Sequence, residues 1–367
     1  MESSLADGLS GLRIGYVPYS DSLDRPGDRR RFVFYAKKRG IEFEIADPEK
    51  DYDLVVLSAR ADISRWSRYA KGKVVYDLID SYLAIPRTDF KGLFRGVFKF
   101  LSGQSRYLQL DYWKAISGMC ARADAVVCST EEQRRDIQKY CTNAHIILDA
   151  HTSVTRTIKV DYSVESDRPF RLVWEGLPHT LGSLELIAPV LEKLREQYPI
   201  EMHIVTDREY FRYMGQYGKA STIETVQRFL PEVRFHEWTE ADCADIICSC
   251  DLAVIPLSLI DPFAAGKPEN KLLLFWRMAM PVVTSASPAY ARAMRAAGLN
   301  YTAIDQAGWL IMIEQLLGDE AARRQAGTLG RAYADSEFSE ASLLARWDTV
   351  FSSIGFSFGQ QNLFAGD

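Results

Sequence analysis

Short runs of β-branched and apolar residues alternate with stretches of helical period along most of the chain. LRIGYVPY (12–19), FEIAD (43–47), DLVVLSA (53–59), KVVYDLID (73–80), DAVVCST (124–130) and AHIILDA (144–150) read as strands, most of them ending in polar residues. Near-continuous apolar strands separated by helices mark parallel strands covered on both faces, a doubly wound sheet. Thr130 followed by Gln133 predicts a capping-box start for the helix EEQRRDIQKY. From 151 to 169 the pattern lapses into HTSVTRTIKVDYSVESDRP, polar and without helical period. A second series follows: FRLVWEG (170–176), a helix over 183–197, EMHIVTD (201–207), VRFHEW (233–238), DLAVIPL (251–257) and PVVTS (281–285). Helices near 305–317, 319–335 and 339–352 close the pattern. The expectation is an α/β chain of two doubly wound domains, 1–158 and 170–350, with a linker at 159–169 and a tail at 351–367. Such sheets bind ligands at the C-terminal ends of their strands, so two in tandem predict an interdomain cleft.

The segment GKPENKLLLFWRMAMPVVTS (266–285) sharpens this picture. A crossover helix covered on most sides should be apolar nearly all round, which explains LLLFW. Pro268 suits a first helical position, so the helix is expected to start near it. Its polar first turn, at the ligand edge of the sheet, brings backbone N–H groups and the positive dipole end together with Lys267, Asn270 and Lys271. That combination favours an anion, with phosphate the best match. A plain polar loop at a helix start fits the same residues.

Composition changes little: 47% hydrophobic and 25% charged residues are ordinary for a globular protein. The start MESSLADGLSGLRIGYV lacks the basic and apolar regions of a signal peptide, and no apolar run reaches the ~18 residues of a membrane span. A cytoplasmic protein is therefore expected. Cys243, Cys248 and Cys250 lack a second paired cluster to complete four ligands, so reduced buried thiols are expected and no metal site. Charge divides unevenly. Residues 1–160 carry a net +5 and the remainder −10, which predicts an anionic partner for the first half.

Other positions carry candidate chemistry. In EGLPHTLGS (175–183), Gly176 and Gly182 can admit a diphosphate to backbone N–H groups, and His179 can donate a proton to it; a tight turn is the alternative. Glu237 and Trp238 end a strand, where an aromatic can stack on a nucleobase or simply pack into the core. In YDLIDSY, Asp77 and Asp80 diverge unless the strand ends between them. Asp80, last in the run, can accept a proton as general base or cap a loop. The loop SDSLDRPGDRRRF (20–32) offers Gly27, Arg29 and Arg30, with Arg31 beside them, to a phosphate. KGLFRGVFKFL (91–101) sets Lys91, Arg95 and Lys99 on one helix face beside an apolar stripe of Phe94, Val97, Phe98 and Leu101. That pattern suits an anionic membrane surface, or packing on the sheet. No motif for reading nucleic acid is present.

DLAVIPL followed by KPENKLLLFWRMAMPVVTS resembles the donor-binding half of GT-B fold glycosyltransferases, especially family 4 and its relatives. There a K-x-x-N-K-L-L motif followed by P-V-V holds the donor diphosphate. Lys267, Asn270, Lys271 and Pro281-Val282-Val283 match it. ADAVVCSTEEQRRDI and LVWEG are similar as well. The resemblance implies two tandem Rossmann-like domains with a nucleotide-sugar on the second and a glycan or lipid-linked glycan acceptor on the basic first. It also implies closure of the two domains over the reaction and, at the cytoplasmic face of the membrane, cell-surface polysaccharide assembly. In related enzymes the first loop contacts acceptor or donor phosphate, which extends to Gly27, Arg29 and Arg30. Without metal-ligand motifs, transfer would be metal-independent and need no cofactor. Lys267, Lys271, His179 and helix N-termini would carry the leaving-group charge, and an Asp80 base would give inversion. Two family glutamates are replaced: Leu274 stands at the ribose-binding position and Gly266 eight residues before it. Glu269 is the candidate substitute, and donor identity and stereochemistry stay open. A nucleotide-sugar epimerase and a non-catalytic nucleotide-sugar-binding protein are the alternatives.

Overall fold

The computed structural model describes residues 11–86, 96–98, 100–101, 103–213 and 217–357. The chain divides into two compact units, Met1–Ala150 together with Glu340–Asp367, and His151–Ser339.

The first unit is built on six parallel strands: β1 (Ile14–Val17), β2 (Glu44–Ile45), β3 (Leu54–Ser58), β4 (Lys73–Asp77), β5 (Ala125–Cys128) and β6 (Ala144–Ile146), in the order β2-β1-β3-β4-β5-β6. β3 and β5 are buried at every position, as strands covered on both faces must be. Thr130 caps the helix Glu131–Ile137 by accepting from the Gln133 N–H, while Gln133 Oε1 accepts from the Ser129 N–H. The helix Glu340–Ser353, expected with the second domain from its place in the chain, lies in this unit. Its Leu344, Trp347, Val350 and Phe351 join Ile14, Tyr16, Phe32 and Tyr35 in one core cluster. Tyr35 and Arg39 both bond Asp348 of that helix. Apolar match, and not chain order, decides where the helix belongs.

The second unit has β7 (Phe170–Glu175), β8 (Ile200–Thr206), β11 (Arg234–Glu237), β12 (Leu252–Ile255), β13 (Val282–Ser285) and β14 (Thr302–Ala303), all parallel, in the order β11-β8-β7-β12-β13-β14. An antiparallel hairpin, β9 (Glu209–Tyr213) and β10 (Tyr217–Ser221), sits beside it; the sequence pattern did not reveal it. The helix expected over 183–197 is a 3₁₀ segment, Pro178–Leu186, followed by an α-helix, Ala188–Arg195. The expected linker is strapped to this unit. Arg168 grips Asp251 with two bonds of 2.7 and 2.8 Å, Lys159 Nζ donates to the Cys248 and Cys250 carbonyls, and Arg323 donates to the Tyr162 carbonyl. Polar spacing here reflects side chains serving backbone groups instead of a free connector. Cys243 and Cys250 are buried free thiols, and burial pushes Cys250 up to about 12.

Arg31 ties the first unit's strand ends together. Wholly buried, it forks onto Asp77 at 2.6 and 2.7 Å and reaches the Ile147 carbonyl at 2.9 Å and Asp149 at 3.1 Å. Burial works against its charge, but the Asp77 and Asp149 carboxylates outweigh that and hold it protonated. Arg31→Ala would strand two carboxylates. Denaturant unfolding should show a loss of about 3–5 kcal/mol, against less than about 0.5 kcal/mol for exposed Arg25→Ala.

Candidate functional site

The strand order of the second unit locates the site before any side chain is considered. Chain connections leave β7 toward β8 on one side and reach β12 on the other, so the crevice at the β7 and β12 C-termini is a topological switch point. β7 runs out at Gly176. The helix that follows β12 through a loop starts at Asn270 and ends at Arg277, two residues later than Pro268 would have it. A short helix, Pro262–Ala265, precedes it. Glu269 is its N-cap residue, and the Glu269 side chain makes no capping bond to it.

Lys271 and Gly176 meet at this crevice. A side chain at Gly176 would put its Cβ 2.1 Å from Lys271 Nζ and 3.0 Å from Trp174 Cζ2, so only glycine leaves room for the ammonium at the strand end. The same ammonium lies 4.5 Å from the centre of the Trp174 ring, a cation–π contact. Lys271 makes no hydrogen bond or ion pair with any described residue. Burial pushes it down to about 8, Glu175 pulls it back up, and Lys267 adds to the fall. Lys267 Nζ rests 4.8 Å over the Phe263 ring. Two lysines, a helix start and a strand end without a side chain bring positive charge together, which a phosphate group would neutralise.

The other expected residues are placed as follows. Asn270 opens the helix, and Leu274 is buried in the core, so it offers no group to a ribose. Glu269 is buried, with its backbone carbonyl accepting from the Leu273 N–H. His179 is exposed on the 3₁₀ segment. Glu237 pairs with Arg208 at 3.2 Å. Trp238 is half-buried and continues the ladder, its N–H donating to the Thr206 carbonyl. Beside that strand end, His203 Nδ1 meets His236 Nε2 at 2.9 Å and His203 Nε2 meets Glu201 at 3.0 Å. Burial lowers both histidines. Sequence reasoning gave this cluster no role because its members lie on different strands. Among the described residues no group of three metal-type ligands comes together.

In the first unit, β4 ends at Asp77, so Asp77 and Asp80 part company: Asp77 is buried on Arg31, and Asp80 lies half-buried in the following loop. The Asp80 carbonyl is held by Gln133 Nε2 at 3.0 Å and by the Tyr82 N–H at 2.8 Å. The 20–32 loop is organised from within. Buried Asp28 accepts from the Tyr16 hydroxyl and from the Tyr19 and Ser20 N–H groups. A Cβ on Gly27 would lie 2.5 Å from the Tyr19 ring, so that ring accounts for the glycine. Arg29 and Arg30 are half-buried, and the Arg30 carbonyl accepts from the Ala150 N–H. Arg31 is a buried structural cation and not a phosphate contact. Lys91, Arg95 and Lys99, with Phe94, lie outside the described residues.

No sequence-family model and no curated protein matches the chain. Solved structures do. HepE of Anabaena, in complex with UDP-glucose, aligns at a TM-score of 0.59 and 12% identity over 93% of this chain and 100% of its own. The lipopolysaccharide outer core galactosyltransferase WaaB aligns at 0.57 and 10% over 94% and 100%. TarM aligns at 0.54 and 11% over 81% of this chain, which spans 54% of TarM's length. With two parallel six-stranded sheets, the chain shares the GT-B fold of these structures.

The Lys271 environment sets a pH dependence. Only the protonated amine attracts an anion, so affinity should be level below pH 8 and fall as pH rises through 8, by up to about ten-fold per unit. Calorimetric titration of UDP from pH 6.5 to 9.5 checks this, and Lys271→Arg should flatten the profile because guanidinium stays charged.

Proposed function

We propose that the chain is a glycosyltransferase moving a sugar from a nucleotide-sugar to a glycan or lipid-linked glycan acceptor in cell-surface polysaccharide synthesis. The observation that carries this reading is the Lys271 ammonium over Gly176 at the switch point of a GT-B second unit. Lys267, Lys271 and the helix start at Asn270 would hold the donor diphosphate and take up charge on the departing nucleotide, without metal or resident cofactor. His179 from the 3₁₀ segment, and Glu237, Trp238 and Glu269 from the neighbouring loops, are assigned to the phosphate and nucleoside. Asp80 is assigned as the base that accepts the acceptor hydroxyl proton, with Arg29 and Arg30 on acceptor phosphate. HepE is described with UDP-glucose and WaaB is named a galactosyltransferase, which favours transfer over epimerisation and makes UDP-hexoses the first donors to try. Sugar release from a panel of nucleotide-sugars tests the reading. One donor should be turned over, and Asp80→Asn should lower turnover by 10²-fold or more with nucleotide affinity unchanged. Turnover at the unsubstituted rate would remove Asp80 from the role.

The acceptor side adds a surface. Phe98, Phe100, Leu101, Tyr107, Leu108 and Leu110 are all exposed, Leu101 by 73%, in a stretch whose sequence also carries Lys91, Arg95, Lys99 and Arg106. Apolar and basic groups together suit an anionic bilayer, where a lipid-linked acceptor resides. No helix among the described residues is long and apolar enough to cross a membrane. Co-sedimentation with phosphatidylglycerol vesicles should be strong at low salt and fall several-fold for the triple change of Phe98, Phe100 and Leu101 to Ser. Equal partition of this variant and the unsubstituted protein would disprove the contact.

A further inference from the structure

Two buried polar groups at the β7–β8 strand ends have no hydrogen-bond partner among the described residues. Trp174 is 1% exposed and its indole Nε1 has no hydrogen-bond partner among the described residues; Thr206, equally buried, has none for its hydroxyl. Both lie on one face of the sheet. Trp174 pairs with Ile204 in the parallel register and shares a core cluster with it, and Thr206 is two residues further along the same strand. The Gly176 N–H donates to the Val205 carbonyl at 3.2 Å, which sets Thr206 directly beside Gly176.

The indole edge that bears Nε1 faces that same place. Trp174 Cζ2, bonded to the ring carbon that carries the nitrogen, is the atom 3.0 Å from the position of a Gly176 Cβ. Lys271 Nζ occupies the adjoining space, 4.5 Å from the ring centre. A buried donor without an acceptor is rare in a native fold and asks for an explanation. Here the unused donor, a neighbouring hydroxyl and an unpaired ammonium converge on a strand end that has no side chain.

We infer that Trp174 is a ligand-binding residue. Its indole N–H donates to a diphosphate oxygen held by Lys271, and the Thr206 hydroxyl donates to the same group. The inference rests on the nucleotide-sugar reading and adds two donors to it. Lys271 has a flexible four-carbon stem, so its ammonium moves off the indole face to meet an anion bound at the ring edge. A neutral indole donor also holds a diphosphate at every pH, which a lysine at about 8 does not.

Trp174→Phe keeps an aromatic face for Lys271 and deletes the N–H. UDP affinity measured by calorimetry should fall roughly ten-fold, as for a lost hydrogen bond to a charged group. The ligand-free melting temperature should be unchanged or higher, because an unused buried donor is removed. Inorganic pyrophosphate should weaken in the same ratio. Unchanged UDP affinity, or a loss seen with UDP and absent with pyrophosphate, overturns the assignment. If Trp174→Phe does not fold, Thr206→Val and the indole N–H signals of the unsubstituted chain decide. A several-fold loss in the first, with one of the seven tryptophan signals moving downfield on addition of UDP, supports the proposal; neither effect overturns it. Absence of any nucleoside diphosphate binding by the unsubstituted chain sinks the transferase reading and this proposal together, whereas normal binding by Trp174→Phe sinks this proposal alone.

Discussion

A parallel sheet ends all its strands at one edge, and the chemistry of both units follows from that constraint. Backbone carbonyls and loop side chains accumulate there, and the sheet itself gives them no partners. The first unit answers with Arg31, which draws in Asp77, Asp149 and the Ile147 carbonyl and closes its edge with charge-assisted bonds. The second unit leaves its edge open. Gly176 follows β7 without a side chain, and the cation that arrives there, Lys271, forms no ion pair with any described residue. One buried cation completes a structure; the other, on the reading proposed above, takes an anionic ligand.

Much of this was legible in the order of residues. Strand runs such as DLVVLS and LAVI name themselves by unbroken apolar character, and Thr130 with Gln133 announces a helix start. The cationic turn at 267–271 was legible too, because proline, asparagine and lysines ahead of a wholly apolar helix have few other uses. Residues whose role depends on a distant partner were less visible. Arg31 sits in a row of arginines, and nothing local separates the buried one from its half-buried neighbours. Trp174 reads as core, which it is; only its unpartnered nitrogen beside Lys271 changes its meaning. The polar stretch at 151–169 reads as free because its partners, Asp251 and Arg323, come 83 and 161 residues after the residues they bond.

Glycine shows the same split. Gly27 and Gly176 carry a similar sequence signal, a small residue in a polar stretch that leads into a helix. At Gly27 a tyrosine ring from the same loop fills the space, so the glycine serves packing. At Gly176 the space holds the tip of a lysine, a group that can move, so the glycine makes room for a side chain from another element.

The helix Glu340–Ser353 has a consequence for how the chain comes into being. Its Trp347 and Phe351 complete a core that includes Ile14, Tyr16 and Phe32, residues that precede the whole second unit in the chain. The second unit, His151–Ser339, is continuous and can close as soon as it leaves the ribosome. The first emerges earlier yet holds an uncovered apolar face until the second unit has been made. The usual amino-to-carboxyl order of domain folding during synthesis is therefore reversed in its final step, and the nascent first unit is the part of this protein with most need of a chaperone.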